Sequence, residues 1–121
     1  MVPAVWQRIV GRALLGRDAL LPGYRRCAIR GECYPGLSAK AGEQTKGVLY
    51  AGLDAAELRR LDRYEGNSYL RTKVSVVLDG GEKQTAWCYV IHPRYRHRLT
   101  GQDWSVDTFM IKFLKSYLGR I

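Results

Sequence analysis

Residues 58–78 read LRRLDRYEGNSYLRTKVSVVL, and the side-chain period changes inside this stretch. Just upstream, Asp54 and Glu57 have the spacing of a capping box: the acid at the cap accepts backbone N–H bonds and the Glu three residues on reaches back to it. A helix is therefore predicted from there to about Tyr64. Beyond Gly66 the period becomes two. Leu70, Thr72, Val74, Val76 and Leu78 take one face and Tyr69, Arg71, Lys73 and Ser75 the other, which is the pattern of a strand. Asp79, Gly80 and Gly81 supply a tight hairpin, and Thr85 to Ile91, with Trp87 and Tyr89, reads as the antiparallel return.

Outward from this helix–strand–strand unit, Pro3 followed by Val5, Trp6, Ile9, Val10 and Ala13 has helical spacing, with Pro favoured in the first turn. Arg25 to Arg30 and Gly47 to Ala51 read as short strands, and the stretch from Gly31 to Gly47 between them as a loop-rich region. Ser105 is placed to cap a last helix in which Val106, Phe109, Met110, Phe113, Leu114 and Tyr117 form an apolar stripe ending at Gly119. Several strands with helices at the start, middle and end predict an α+β fold, in one domain over residues 1–121.

The bulk numbers set the class. A chain of 121 residues, 46% hydrophobic, is long enough for a real core. No run reaches the roughly 18 consecutive apolar residues of a membrane span, and the first residues lack the basic-then-apolar pattern of a secretory signal, so a cytoplasmic protein with no membrane partner is expected. Cys27, Cys33 and Cys88 are odd in number and match no C-x-x-C spacing, which predicts reduced, structural thiols and no zinc site. The formal charge of +9 favours anionic ligands without locating a site.

Two acids near the predicted helix end contrast in their neighbours. Asp62 has Arg59 three residues before it on the same helical face and reads as a structural, solvated acid. Glu65 stands between Tyr64 and Gly66 where the helix gives way to a half-buried strand. Desolvation there would raise its pKa, the condition for an acid that takes and gives a proton near neutrality. Composition alone still favours an ordinary solvated glutamate, since most loop carboxylates are exposed.

At these residues the chain resembles a known family. The order GYRRCAIRGECYPGL, KGVLYAGL, LDRYEG with YLR, and GQDWS is similar to the γ-glutamylcyclotransferase-like proteins, the group that includes γ-glutamylamine cyclotransferase. The match runs from about Gly11 onward, and LDRYEGNSYLR is its most specific piece. The resemblance implies a small mixed β-barrel flanked by helices, with a cavity holding one essential glutamate, which by motif position is Glu65. It implies cyclisation of a γ-glutamyl amine or amino acid to 5-oxoproline with release of the amine, and no metal or cofactor. The partner is then a small-molecule γ-glutamyl substrate. Tyr34 falls in the tyrosine–proline turn near the family's pocket.

The chain departs from that pattern at its start. The family carries a first strand ending in Y-G-T-L or Y-G-S-L, whose loop N–H groups bind substrate, and MVPAVW resembles what directly follows it. Either the start falls at an internal methionine or the natural protein lacks half its anion-binding site. The first is favoured, because losing a barrel strand exposes unpaired edges and forfeits ~1.5–3 kcal/mol per large side chain no longer buried. The chain taken alone is then expected to be weakly active or inactive.

Other readings stay open at this level. Tyr34-Pro35-Gly36 is equally an ordinary turn. Tyr69 and Arg71 either line the cavity, where they would bind a substrate carboxylate, or belong to a solvated strand face. His92 and His97 have no partners at ligand spacing, so metal binding is not expected. The basic HPRYRHR segment motivates a nucleic-acid module with Tyr95 stacking a base, but no RNP, GxxG or helix-turn-helix pattern accompanies it, and a solvated basic loop is preferred. A non-catalytic ligand-binding or interaction domain of the same fold is the third alternative.

Overall fold

The computed structural model describes residues 3–12 and 15–104. In chain order these form α1 (Pro3–Val10), β1 (Gly16–Ile29), β2 (Pro35–Tyr50), α2 (Ala55–Glu65), β3 (Tyr69–Leu78), β4 (Lys83–Ile91) and β5 (Leu99–Asp103), with short 3₁₀ turns at Gly66–Ser68 and Pro93–Arg98. The helix predicted from Ser105 to Gly119 and the Ala13 end of the first one lie outside the described residues. The fold is mixed α+β around one five-stranded antiparallel sheet, in the order β2-β1-β3-β4 with β5 also on β1.

The β3–β4 hairpin follows the alternation in the sequence. It pairs from Tyr69↔Ile91 to Val77↔Lys83, and the Leu78 N–H donates to the Glu82 carbonyl at 2.9 Å to close the turn. Val74, Val76 and Leu78 are buried, joining Leu21 of β1 in the main core. Leu70, assigned to the same face, is instead 46% exposed, because it lies where the strand emerges at the rim.

Two strands differ from expectation. β1 begins at Gly16, well before Arg25, and crosses Pro22-Gly23 without ending. The register jumps there from Pro22↔Gln44 to Tyr24↔Ala39, so one residue of β1 faces the four residues 40–43 of β2. A bulge of this kind is where a strand tolerates proline, and Gly23 supplies the positive φ of 82°. The supposed loop between Gly31 and Gly47 is largely β2, whose glycines and interspersed polar residues break any apolar alternation but are held by hydrogen bonding to β1.

The sheet does not close into a barrel. Closure requires a continuous ladder around the sheet, and β3 meets β1 only at Ala19↔Leu78 and Leu20↔Val77. Past these two pairs the strands part around a cavity, and the same edge of β1 is taken up by β5 at Cys27↔Asp103 and Ile29↔Leu99. At the hairpin tip, Arg17 binds Asp79 at 2.6 Å and also Glu82.

The helices cover one end of this sheet. Trp6, Val10 and Leu61 are buried together against Tyr50, Leu53 and Tyr89, with the Trp6 and Tyr50 rings stacked at 4.1 Å. α2 carries the predicted capping box between Asp54 and Glu57. Glu57 is buried and takes a further contact from Arg12, whose Nε and Nη2 donate to its two carboxylate oxygens at 2.6 and 2.8 Å. Arg60 donates to the Val10 carbonyl at 2.8 Å, placing a cation at the end of α1. No helix among the described residues is long and apolar enough to cross a membrane.

Candidate active site

Glu65 is the last residue of α2. It stands four residues after buried Leu61, so the helix turns it toward the packed side. Gly66 then stops the helix with φ 71° and ψ −160°, a conformation that L side chains avoid, and its N–H donates to the Asp62 carbonyl. The acid is thus fixed at a junction whose two sides are a capped helix and a paired strand.

Its side chain lines a cavity of about 840 Å³ that opens between the diverging strands. Tyr34, Ser68, Tyr69 and Arg26 contribute polar groups to the wall, and Leu21, Leu37, Val74, Val76 and Ala86 apolar ones. Burial raises the Glu65 pKa to about 7. Among the described residues none donates a hydrogen bond to its carboxylate, so the lost hydration of the charged form outweighs the attraction of positive charge. The residue keeps some accessible surface because it faces the cavity, while protein surrounds the carboxylate on its other sides.

Tyr69 also lines the cavity, and its hydroxyl donates to the Pro35 carbonyl at 2.6 Å, tying the start of β3 to the start of β2. Burial, and then the nearby Glu65 charge, raises its pKa above the ordinary phenol value. Cys88 is pushed up to about 11 by burial and then by Glu65. It is a protonated thiol on the wall, and the three cysteines form no disulfide with one another.

Arg71 does not line this cavity. Its guanidinium pairs with Asp62 at 3.2 Å and lies 4.9 Å from the ring centre of Trp87, a residue that does line the cavity. Alternation puts Tyr69 and Arg71 on one strand face, so the difference lies in their position along β3: Tyr69 at its first residue reaches the cavity, and Arg71 two residues on reaches Asp62 of α2. Asp62 accordingly takes Arg71 and the Tyr89 hydroxyl as partners in place of Arg59. The basic segment forms the second 3₁₀ turn, in which His92 Nδ1 accepts from the Arg94 N–H at 3.1 Å and the Arg98 guanidinium lies 4.8 Å from the Tyr95 ring centre. Among the described residues no three His, Cys, Asp or Glu side chains cluster as metal ligands.

Sequence reasoning missed Arg26 and Trp104. Both line the cavity, with the Arg26 guanidinium 5.3 Å from the indole centre and the Trp104 Nε1–H donating to the Cys33 carbonyl at 2.7 Å. Adjacent arginines at 25 and 26 give no signal of which one faces inward until the strand's register is known.

Comparison with known proteins bears on this arrangement. The family model for Gamma-glutamyl cyclotransferase, AIG2-like, matches residues 1–106. Protein AIG2 C of Arabidopsis thaliana is 31% identical over 120 residues, covering 95% of this chain and 72% of that protein. AIG2-like protein A of the same plant is 34% identical over 74 residues, which are 60% of this chain and 45% of the relative. The solution structure of At3g28950.1 from Arabidopsis thaliana superposes with a TM-score of 0.74 at 29% identity, covering 99% of this chain and 73% of that one. With the matched region containing Glu65 and nearly the whole sheet, the chain belongs to the AIG2-like γ-glutamyl cyclotransferase family.

Proposed function

We propose that the protein cyclises the γ-glutamyl group of a γ-glutamyl amine or amino acid to 5-oxoproline and releases the amine, with Glu65 as the single proton carrier. The observation that carries this reading is a half-buried carboxylate, raised to about 7 by desolvation, on the wall of a substrate-sized cavity.

The chemistry needs no more than this carboxylate can supply. The substrate's α-amine attacks its own γ-carbonyl carbon, forming the ring C–N bond, and its proton passes to Glu65. The tetrahedral intermediate then collapses, the bond from carbon to the leaving nitrogen breaks, and Glu65 returns the proton to that nitrogen. A group with pKa near neutrality both accepts and donates at low cost. Attack within one molecule leaves the protein mainly to hold the folded conformer. No electrons are exchanged, so the reaction calls for no redox cofactor. Three cysteines with no disulfide between them suit a reducing, cytoplasmic setting.

The test is to incubate the protein with γ-glutamyl amines, γ-glutamyl amino acids and glutathione and to measure 5-oxoproline. Glu65→Gln is expected to lower turnover by about 10²–10⁴-fold, the range for losing a general acid–base. Equal turnover by this variant would sink the role of Glu65.

A further inference from the structure

Most of the cavity's charge and chemistry is accounted for by Glu65, but the two cations on its wall, exposed Lys46 and part-buried Arg26, are not, and it is the part-buried one that calls for an anion. Arg12, Arg17, Arg25 and Arg71 each have a carboxylate partner: Glu57, Asp79 with Glu82, Asp103 with Glu43, and Asp62. Arg26 has no such partner among the described residues, and its one recorded contact is the face of Trp104. Strand alternation separates it from its neighbour: Arg25 goes to the acids of β2 and β5, while Arg26 goes to the cavity. A part-buried guanidinium without a counter-ion is costly unless a ligand supplies the anion.

We propose that Arg26 binds the α-carboxylate of the substrate and so restricts the site to γ-glutamyl compounds in which that carboxylate is free. The proposal rests on the cyclotransferase reading and adds to it a residue that selects the substrate.

The position fits the demand. Arg26 pairs in register with Leu37, two residues from Pro35, whose carbonyl holds Tyr69. Trp104, under the guanidinium, packs in the same cluster as Tyr64, the neighbour of Glu65. The cation and the acid therefore belong to the same end of the cavity. The α-carboxylate shares its carbon with the attacking amine, so fixing it by the two parallel N–H bonds that arginine offers also aims the nucleophile. Stacking on Trp104, itself held by the Cys33 carbonyl, keeps the fork oriented before the ligand arrives. Burial lowers the Arg26 pKa, yet a guanidinium remains charged in proteins.

The experiment measures equilibrium binding of L-5-oxoproline and L-5-oxoprolinamide, which differ only at the carboxylate, by calorimetry. The wild-type protein is expected to bind the acid at least about tenfold more tightly than the amide, as for a charge-assisted bidentate pair. Arg26→Gln should bring the two ligands within about twofold, while Arg26→Lys should keep part of the preference. Thermal melting of each variant shows that the fold is retained, and the lysine variant serves if the glutamine one does not fold. No detectable binding of the acid by the wild type, equal wild-type binding of both ligands, or an undiminished preference in Arg26→Gln would overturn the proposal. None of these readouts needs turnover, so a protein that binds as expected but makes no 5-oxoproline would defeat the enzymatic reading and leave the anchor standing.

Discussion

A carboxylate with no hydrogen-bond donor among the described residues, desolvated on the wall of an open cavity, makes Glu65 a liability to the fold once it ionises. Its pKa is raised in the folded protein, so the neutral form is favoured there. The associated stability is fully present below the ordinary carboxylate value and is lost as pH rises through about 7. Each pKa unit corresponds to about 1.4 kcal/mol, so ionisation costs the fold on the order of 3 kcal/mol at most. Glu65→Gln is accordingly expected to match the wild type in denaturant stability near pH 4 and to exceed it at pH 8. A wild-type advantage at pH 8 would contradict the desolvated environment. With substrate, kcat/KM should fall as pH drops below about 7, because the attacking amine needs the ionised base.

At the level of elements, the helix that presents Glu65 is held from both ends. Asp54→Ala removes the cap and should cost about 1 kcal/mol of stability by chemical denaturation. Glu57 has its pKa lowered to about 2, chiefly by the Arg12 hydrogen bonds and then by the Asp54 N–H. Its contribution is therefore complete above the ordinary glutamate value and disappears as pH falls toward 2. Glu57→Gln should be less stable than the wild type at pH 7 and approach it in acid. Gly66→Ala has open space around the new methyl, so its cost is conformational, about 1 kcal/mol or more. It should also lower turnover by shifting Glu65. Much of this was legible in the sequence, because the capping box and the period-two run in β3 are local patterns. β2 was not, since what makes residues 44–47 a strand is a partner more than twenty positions away. The site divides the same way. Glu65, Tyr34 and Tyr69 flank turns that a motif marks, whereas the pairing of Arg71 with Asp62 and the inward turn of Arg26 depend on strand register and on the bulge at Pro22-Gly23.

For the molecule as a whole, the cavity wall and the net charge act together on the leaving group. Leu21, Leu37, Val74, Val76 and Ala86 line the cavity, and the protein carries +9. An apolar leaving amine is expected to be turned over about tenfold more efficiently than a cationic one of the same length, read as kcat/KM for paired γ-glutamyl conjugates. A preference for the cationic conjugate would show that the apolar wall does not receive that end. The meeting of β1 and β3 has a consequence for motion. Backbone pairing joins the β1–β2 ribbon to the β3–β4 hairpin at two residue pairs beside the Arg17 clamp. The Tyr69–Pro35 hydrogen bond and the packing of Leu21 on Val74, Val76 and Leu78 hold these two leaves elsewhere, so their shared backbone ladder is a narrow hinge. Local opening at that hinge breaks few backbone hydrogen bonds, so it is expected there before it occurs inside either leaf. The Asp79 amide, which donates across the hinge to Asp18, would then exchange with deuterium sooner than amides within either leaf, and Arg17→Ala would hasten it further.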